Sequence, residues 1–311
     1  MKGQIIKSTG SWYLVKDNEN NIHKARLRGK FKKLNIKVTN PLAVGDFVEF
    51  HIEKVEEKTA LITSINERHN YVIRKSAKLS KQAQIIASNV DQAFLIVTIK
   101  SPHTSLGFID RFLVTTESFR IPVTILFNKT DLLKEKDQEK LDHHCALYEA
   151  LGYKCRQISI EKNTGLEGIE EDLKGLTTLV SGHSGVGKSS LVNYLLPDME
   201  IDTKTISTYN DKGKHTTTFA EMHFLPKGGK IIDTPGIKEI GVIDMEKEEI
   251  GHYFVEIRER IGQCKFHNCS HMYEPECAIK DGVENGTIAP SRFNTYWSLI
   301  EDMEAQKKKN K

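Results

Sequence analysis

Gly182-His183-Ser184-Gly185-Val186-Gly187-Lys188-Ser189 has the spacing G-x-x-x-x-G-K-[ST]. Thr177–Ser181 before it reads as a strand, and Ser190-Leu191-Val192 after it opens a helical pattern spanning Ser189–Leu196. Strand, glycine loop and helix in that order form a phosphate-binding loop. The glycines let the backbone curl so that its amides face phosphate oxygens, and the helix adds its positive N-terminal end. Lys188 is expected to reach the β- and γ-phosphates and Ser189 to ligate magnesium.

A phosphate loop leaves the base undetermined. Asn128-Lys129-Thr130-Asp131, after the strand Val123–Phe127, supplies the choice. A carboxylate at Asp131 accepts both hydrogens that guanine offers at N1 and the 2-amino group, a pair that adenine lacks. A site built around that acceptor discriminates by about 10⁴-fold or more, because the wrong base leaves the charge unpaired. Asn128 is expected to brace the loop and contact the base, and the stem of Lys129 to cover it. Asp233-Thr234-Pro235-Gly236 follows the strand Lys230–Ile232 and gains meaning beside these motifs. Asp233 is expected to hold magnesium through water, and the Gly236 amide to sense the γ-phosphate. His215-Thr216-Thr217-Thr218, after the polar stretch Ser207–Lys214, supplies a candidate switch, with Thr217 preferred as the magnesium ligand.

The motifs come in an unusual order. A GTPase ordinarily has its phosphate loop first and its base-reading motif last; here Asn128–Asp131 precedes a candidate bracing segment at Ser159, then Gly182–Ser189, Thr217 and Asp233. That is a circular permutation, tolerable where the original termini lie close together. Its consequence is mechanical: the second switch leads straight into the C-terminal region. The residue after Gly236 is Ile237, where many GTPases carry a water-orienting glutamine. Slow intrinsic hydrolysis is expected, with water positioned by another group or a partner; His215 is a catalytic candidate, a packing or capping role its alternative.

The 311 residues suit two or three domains. The apolar runs, such as Phe94–Val97, are too short to span a bilayer, and the first residues lack a signal-peptide core. A cytoplasmic protein is expected. The net charge of +3 conceals an asymmetry: residues 1–82 hold 17 basic and 8 acidic residues, a net of +9, leaving −6 for the rest. A basic module on a mildly acidic body suggests a polyanionic partner, most simply nucleic acid. Gly10–Val15, Pro41–Phe50 and Ala60–Ile65 read as strands of a small β-barrel, with the basic run Lys24–Lys37 on a loop. Beyond residue 85, strands at Gln92–Ile99, Val123–Phe127, Cys155–Ile160, Thr177–Ser181, His223–Leu225 and Lys230–Asp233 alternate with helical patterns such as Gln138–Leu151, as in a parallel α/β sheet. From about 245 the chain reads as helical. The expected division is 1–75, 76–244 and 245–311.

Cys264-x₄-Cys269-x-His271-x₅-Cys277 supplies three thiolates and an imidazole, a ligand set for structural tetrahedral zinc with no open position. Cys145 and Cys155 read as packing cysteines.

A basic barrel, a permuted GTPase and this cysteine–histidine module together resemble the RsgA family, the bacterial GTPases of small ribosomal subunit biogenesis. Asn89-Val90-Asp91-Gln92, Gly182–Asn193 and His215–Thr218 also look like family signatures. The resemblance covers nearly the whole chain. It implies an N-terminal OB-fold, a central permuted α/β P-loop GTPase domain, a C-terminal helical zinc domain, and late action on the 30S subunit with hydrolysis stimulated by that subunit. It implies that Asn128, Lys129, Thr130 and Asp131 read guanine, that Gly182, His183, Ser184, Gly185, Val186, Gly187, Lys188, Ser189 and Ser190 hold GTP or GDP with Mg²⁺, and that Cys264, Cys269, His271 and Cys277 hold one Zn²⁺. The expected partners are the 30S subunit and its rRNA, with no membrane or DNA, and the expected state is a monomer. Ser159-Ile160-Glu161 is the loosest match. Two other readings compete: a permuted GTPase of large-subunit assembly, and a nucleotide-gated RNA-binding adaptor that scarcely hydrolyses GTP.

Overall fold

A computed structural model describes residues 1–9, 12–27, 41–54, 59–75, 83–197, 220–234 and 245–309. Five strands come first: β1 (Lys2–Ser8), β2 (Tyr13–Asp17), β3 (Ile22–Leu27), β4 (Phe47–Lys54) and β5 (Thr59–Ile65). Their alternate residues Ile5, Tyr13, Val15, Ala25, Val48, Phe50, Ala60 and Ile62 share one core. This is the period-two pattern of strands with one wet face. β1 pairs with β2 and β4, β2 with β3, and β5 with β3 and β4, so the strands close into a barrel. β1 and β3 lie outside the strands expected from the sequence. Lys24–Leu27, expected on a loop, form the end of β3: Lys24 and Arg26 face outward while His23 and Ala25 face inward. Charged residues on the wet face hide the strand. The remainder of that basic run lies outside the described residues.

An antiparallel hairpin, β6 (Tyr71–Lys75) with β7 (Ala83–Ser88), connects the barrel to the central sheet. That sheet comprises β8 (Gln92–Val97), β9 (Val123–Phe127), β10 (Lys154–Gln157), β11 (Thr177–Ser181), β12 (Glu221–Phe224) and β13 (Lys230–Asp233). The order is β10-β9-β8-β11-β13-β12, the first five parallel and β12 antiparallel. β10 is shorter than expected, ending at Gln157, and β12 starts two residues earlier than His223. β9 and β11 are buried at every residue because helices cover both faces. α1 (Leu106–Ser118) and α2 (Glu135–Ala150) pack on one face, where Cys145 is buried and Cys155 packs against the same core. α3 (Ile169–Leu173) and α4 (Lys188–Leu195) pack on the other. The nucleotide motifs follow the C-terminal ends of β9, β11 and β13, where open α/β sheets bind ligands.

The sheet and barrel are continuous through β12 and β1, where Lys7 Nζ donates to Glu221 at 2.6 Å. Asn89 of the quoted signature stitches the seam: its Nδ2 donates to Gly45 O at 3.0 Å and its Oδ1 accepts from His69 N at 3.1 Å. Gly45 has φ +100°, and a Cβ there would lie 2.0 Å from Ser88 O. In the C-terminal region, α5 (Val255–Arg258), α6 (Ala278–Glu284) and α7 (Pro290–Lys309) follow a 3₁₀ turn at Ile250–Tyr253. Ile250, Phe254, Ile257, Ile279, Ile288 and Leu299 enclose a separate core, into which α1 sends Val114. No helix among the described residues is long and apolar enough to cross a membrane.

Candidate nucleotide site and metal centre

The phosphate loop joins β11 to α4. Gly182 has φ +148°, and a Cβ there would meet Ile96 O at 2.3 Å; Gly187 has φ +109°, and a Cβ there would meet Asn128 Nδ2 at 2.2 Å. Both positions demand glycine on two counts, backbone conformation and space. Val186 is buried in the α4-side core, while Ser184, Gly185 and Ser190 are exposed and His183 and Ser189 are half-buried. The loop thus presents its backbone and hydroxyls outward.

Lys188 Nζ donates to Gly182 O and His183 O, both at 2.7 Å, and the side chain lies along the inside of the loop. Burial pushes the Lys188 ammonium below the usual lysine range, against the opposing pull of Asp233. Burial likewise pushes the Asp233 carboxyl up, against the pull of the Lys188 ammonium. Asp233 Oδ1 and Ser181 Oγ are buried without a hydrogen-bond partner among the described residues. A buried carboxylate oxygen left open beside a phosphate loop fits a cation ligand or a water that a cation holds. Thr234 Oγ1 donates to Val180 O at 3.0 Å and ties the end of β13 to β11.

The base motif is braced from three directions. Asn128 Nδ2 donates to Val186 O at 2.8 Å, and its Oδ1 accepts from Ile160 N at 3.2 Å. Lys129, in the left-handed region at φ +66°, sends Nζ to Ser101 O at 2.6 Å and Gly185 O at 2.7 Å. Thr130 Oγ1 donates to Ile158 O at 3.1 Å. Asp131 is exposed and receives the Ser159 hydroxyl at 2.5 Å, while Lys162 N donates to Ser159 Oγ at 3.1 Å. Ser159 therefore orients the Asp131 carboxylate, so the loosest match in sequence occupies a defined place.

Two contacts had no signal in the sequence. The loop after β8 brings Ser101 under Lys129, and Pro102 lies 3.5 Å from where a Gly185 Cβ would stand. The Phe108 ring of α1 packs against that of His183, centroids 3.7 Å apart and planes tilted by 30°. Thr217, His215, Gly236 and Ile237 lie outside the described residues.

Cys264, Cys269, His271 and Cys277 bring one ligand atom each to within 4.8 Å of one another, and together they can hold one metal ion. Cys264 Sγ and Cys277 Sγ are 3.9 Å apart, and each lies 3.5 Å from His271 Nδ1. His271 takes φ +62° to turn its ring into the cluster. Beside it, Ser270 N and Oγ both donate to Glu274 Oε1, closing the loop between two ligands.

The family model described as RsgA GTPase matches residues 65–243, and that of the RsgA N-terminal domain matches residues 2–62. The chain is 50% identical over 307 residues to the small ribosomal subunit biogenesis GTPase RsgA of Phocaeicola vulgatus, covering 99% of this chain and 98% of that one. It is 50% identical over 300 residues to the protein of the same name from Cytophaga hutchinsonii, covering 96% and 98%. Among solved structures, YjeQ from Thermotoga maritima superposes with a TM-score of 0.75 at 34% identity, covering 97% of each chain. YloQ, described as a circularly permuted GTPase, superposes with a TM-score of 0.71 at 30% identity, covering 98% of this chain and 95% of that one. Likeness along the whole chain thus joins a sheet whose base motif precedes its phosphate loop: this protein belongs to the RsgA family of GTPases and is a GTP hydrolase.

Proposed function

We propose that this GTPase acts in late maturation of the 30S ribosomal subunit, with hydrolysis stimulated by that subunit and coupled to release from it. The relatives at 50% identity carry the name small ribosomal subunit biogenesis GTPase. The observation in this chain that supports an RNA partner is the outward face of the barrel and the adjoining sheet. There Lys16 Nζ lies 3.5 Å from the Phe224 ring centroid, Lys230 Nζ 5.7 Å from the same ring, and Lys24 Nζ 4.6 Å from that of Trp12. Basic side chains interleaved with accessible rings suit phosphates and unstacked bases.

In this reading the barrel over 1–75 and the metal module over 245–311 grip the subunit, and the GTPase domain over 76–244 sets how tightly. Asn128, Lys129, Thr130 and Asp131 read guanine. The amides of Gly182–Ser190 hold the phosphates, and Lys188 faces the β- and γ-phosphates. Ser189, Thr217 and, through water, Asp233 would hold Mg²⁺, which when bound offsets phosphate charge. The Gly236 amide senses the γ-phosphate, and His215 is the candidate for orienting water beside Ile237.

The Cys₃His set is assigned to zinc. A tetrahedral zinc with sulfur at about 2.3 Å and nitrogen at about 2.0–2.1 Å separates two sulfurs by about 3.8 Å and sulfur from nitrogen by about 3.5 Å. The observed 3.9 Å and 3.5 Å fit those values. Four protein ligands make the role structural. The protein is further proposed to be cytoplasmic and monomeric.

Co-sedimentation with purified 30S particles tests the grip. Retention with a non-hydrolysable GTP analogue and loss with GDP are expected; equal retention in both states contradicts coupling of nucleotide to release.

A further inference from the structure

Arg292 of α7 is fully buried, as is Asp110 of α1. Its Nε and Nη2 form a fork onto Glu256 of α5, at 2.7 and 3.1 Å, and its Nη1 donates to Asp110 Oδ1 at 3.0 Å. The guanidinium also lies 4.6 Å from the Phe254 ring centroid. Asp110 is saturated from the other side: Tyr148 Oη donates to Oδ1 and Thr295 Oγ1 to Oδ2, both at 2.8 Å. One cation thus bridges two carboxylates, one from the GTPase domain and one from the metal module.

Such a cluster is a poor source of net stability, because desolvating three charges offsets much of their attraction. Its geometry is demanding, however, since a forked guanidinium tolerates little rotation. It therefore specifies how the module sits on α1. The same helix reaches the nucleotide site. Ser105 caps its first turn, and Phe108 in that turn packs its ring against His183 of the phosphate loop. Asp110 and Phe108, two residues apart, face the module and the loop respectively.

We propose that Arg292 is a positioning residue for GTP hydrolysis: by clamping Glu256 to Asp110 it fixes α1, and through the Phe108–His183 contact α1 sets the phosphate loop. The metal module then acts on nucleotide chemistry through α1 as well as through the connection that follows the second switch motif.

A two-by-two comparison on the full chain tests this, using Arg292→Met, Phe108→Ala and the double variant. Amide hydrogen exchange of residues 182–187 and the KM and kcat for GTP are the readouts. Each single variant is expected to speed exchange at 182–187 and raise KM by about 3- to 30-fold, the span of couplings carried by packed side chains. Exchange in β10 should stay unchanged, kcat should move less than KM, and the double variant should match Phe108→Ala within about 2-fold. Faster exchange confined to α1, α7 and the module, with KM unchanged, would overturn the proposal. So would effects that multiply in the double variant. If Arg292→Met fails to fold, Thr295→Val enters the same cycle, since it removes one hydroxyl hydrogen bond from Asp110 at nearly constant shape and leaves the Arg292 clamp in place, and the same outcomes decide. Wild-type turnover in the same assay reports separately on the GTPase itself.

Discussion

At Asp131 a single oxygen-for-nitrogen exchange is expected to reverse what the proposed guanine site reads. In that role the carboxylate accepts two hydrogens from guanine; an amide offers one acceptor and one donor, which suits xanthine. Asp131→Asn is expected to weaken GTP binding by at least about 100-fold and to gain binding of xanthosine triphosphate, measured by fluorescent-nucleotide competition. The Ser159 hydroxyl on Asp131 should remain a bond in either case. Gly187→Ala is a second test at this scale. Its φ of +109° and the 2.2 Å approach to Asn128 Nδ2 leave no place for a methyl group. Strain of about 1–3 kcal/mol is expected, with GTP affinity falling by about 10-fold or more. Calorimetric titration with nucleotide reads the affinity and thermal melting the strain. The glycine loop between β11 and α4 was legible because glycine spacing encodes backbone conformation in local sequence. The bonds from Lys129 to Ser101 and Gly185 were not, because they join segments 28 and 56 residues away.

Among elements, the buried central strands announced themselves as apolar runs, and β9 and β11 match the expected residues. The barrel strands were harder. β3 alternates Lys24 and Arg26 with His23 and Ala25, so half its residues read as loop. What holds the β2–β3 turn is Asp17, which accepts from Glu19 N at 2.9 Å and Asn21 N at 2.8 Å and lies 2.8 Å from His23 Nε2. The bond with His23, helped by those with Asn21 and Glu19, lowers the Asp17 carboxyl from 3.8 to about 2. The folded value lies below the unfolded one, so the stabilisation is complete above the unfolded value and disappears as pH falls from about 4 through about 2. Urea midpoints should therefore drop across that window in the wild type. They should change less in Asp17→Asn, which lacks the titrating group; identical slopes would contradict the assignment.

For the whole molecule, the motif order announced the permutation, and the cysteine spacing announced a Cys/His cluster that can hold a metal ion. Three-dimensional context supplied the rest. β12 and β1 make barrel and GTPase sheet one continuous surface, and α1 contributes Val114 to the core of the metal module. Neither follows from local pattern, since both join residues more than a hundred positions apart. Removing the metal should release the 264–277 loop and loosen α7, where Trp297 meets Tyr273 edge-on at 5.6 Å. Chelation is expected to red-shift tryptophan emission while the central sheet keeps its exchange protection, because a multidomain chain need not unfold as one unit. In the proposed function this GTPase works on the small subunit and is switched on by it. GTP turnover, measured alone, with purified 30S and with purified 50S, and with Asp131→Asn as the control, tests that most directly. Slow turnover alone, a large increase with 30S only, and none in the variant are expected; no increase with either subunit, or an increase with 50S, would rule that function out.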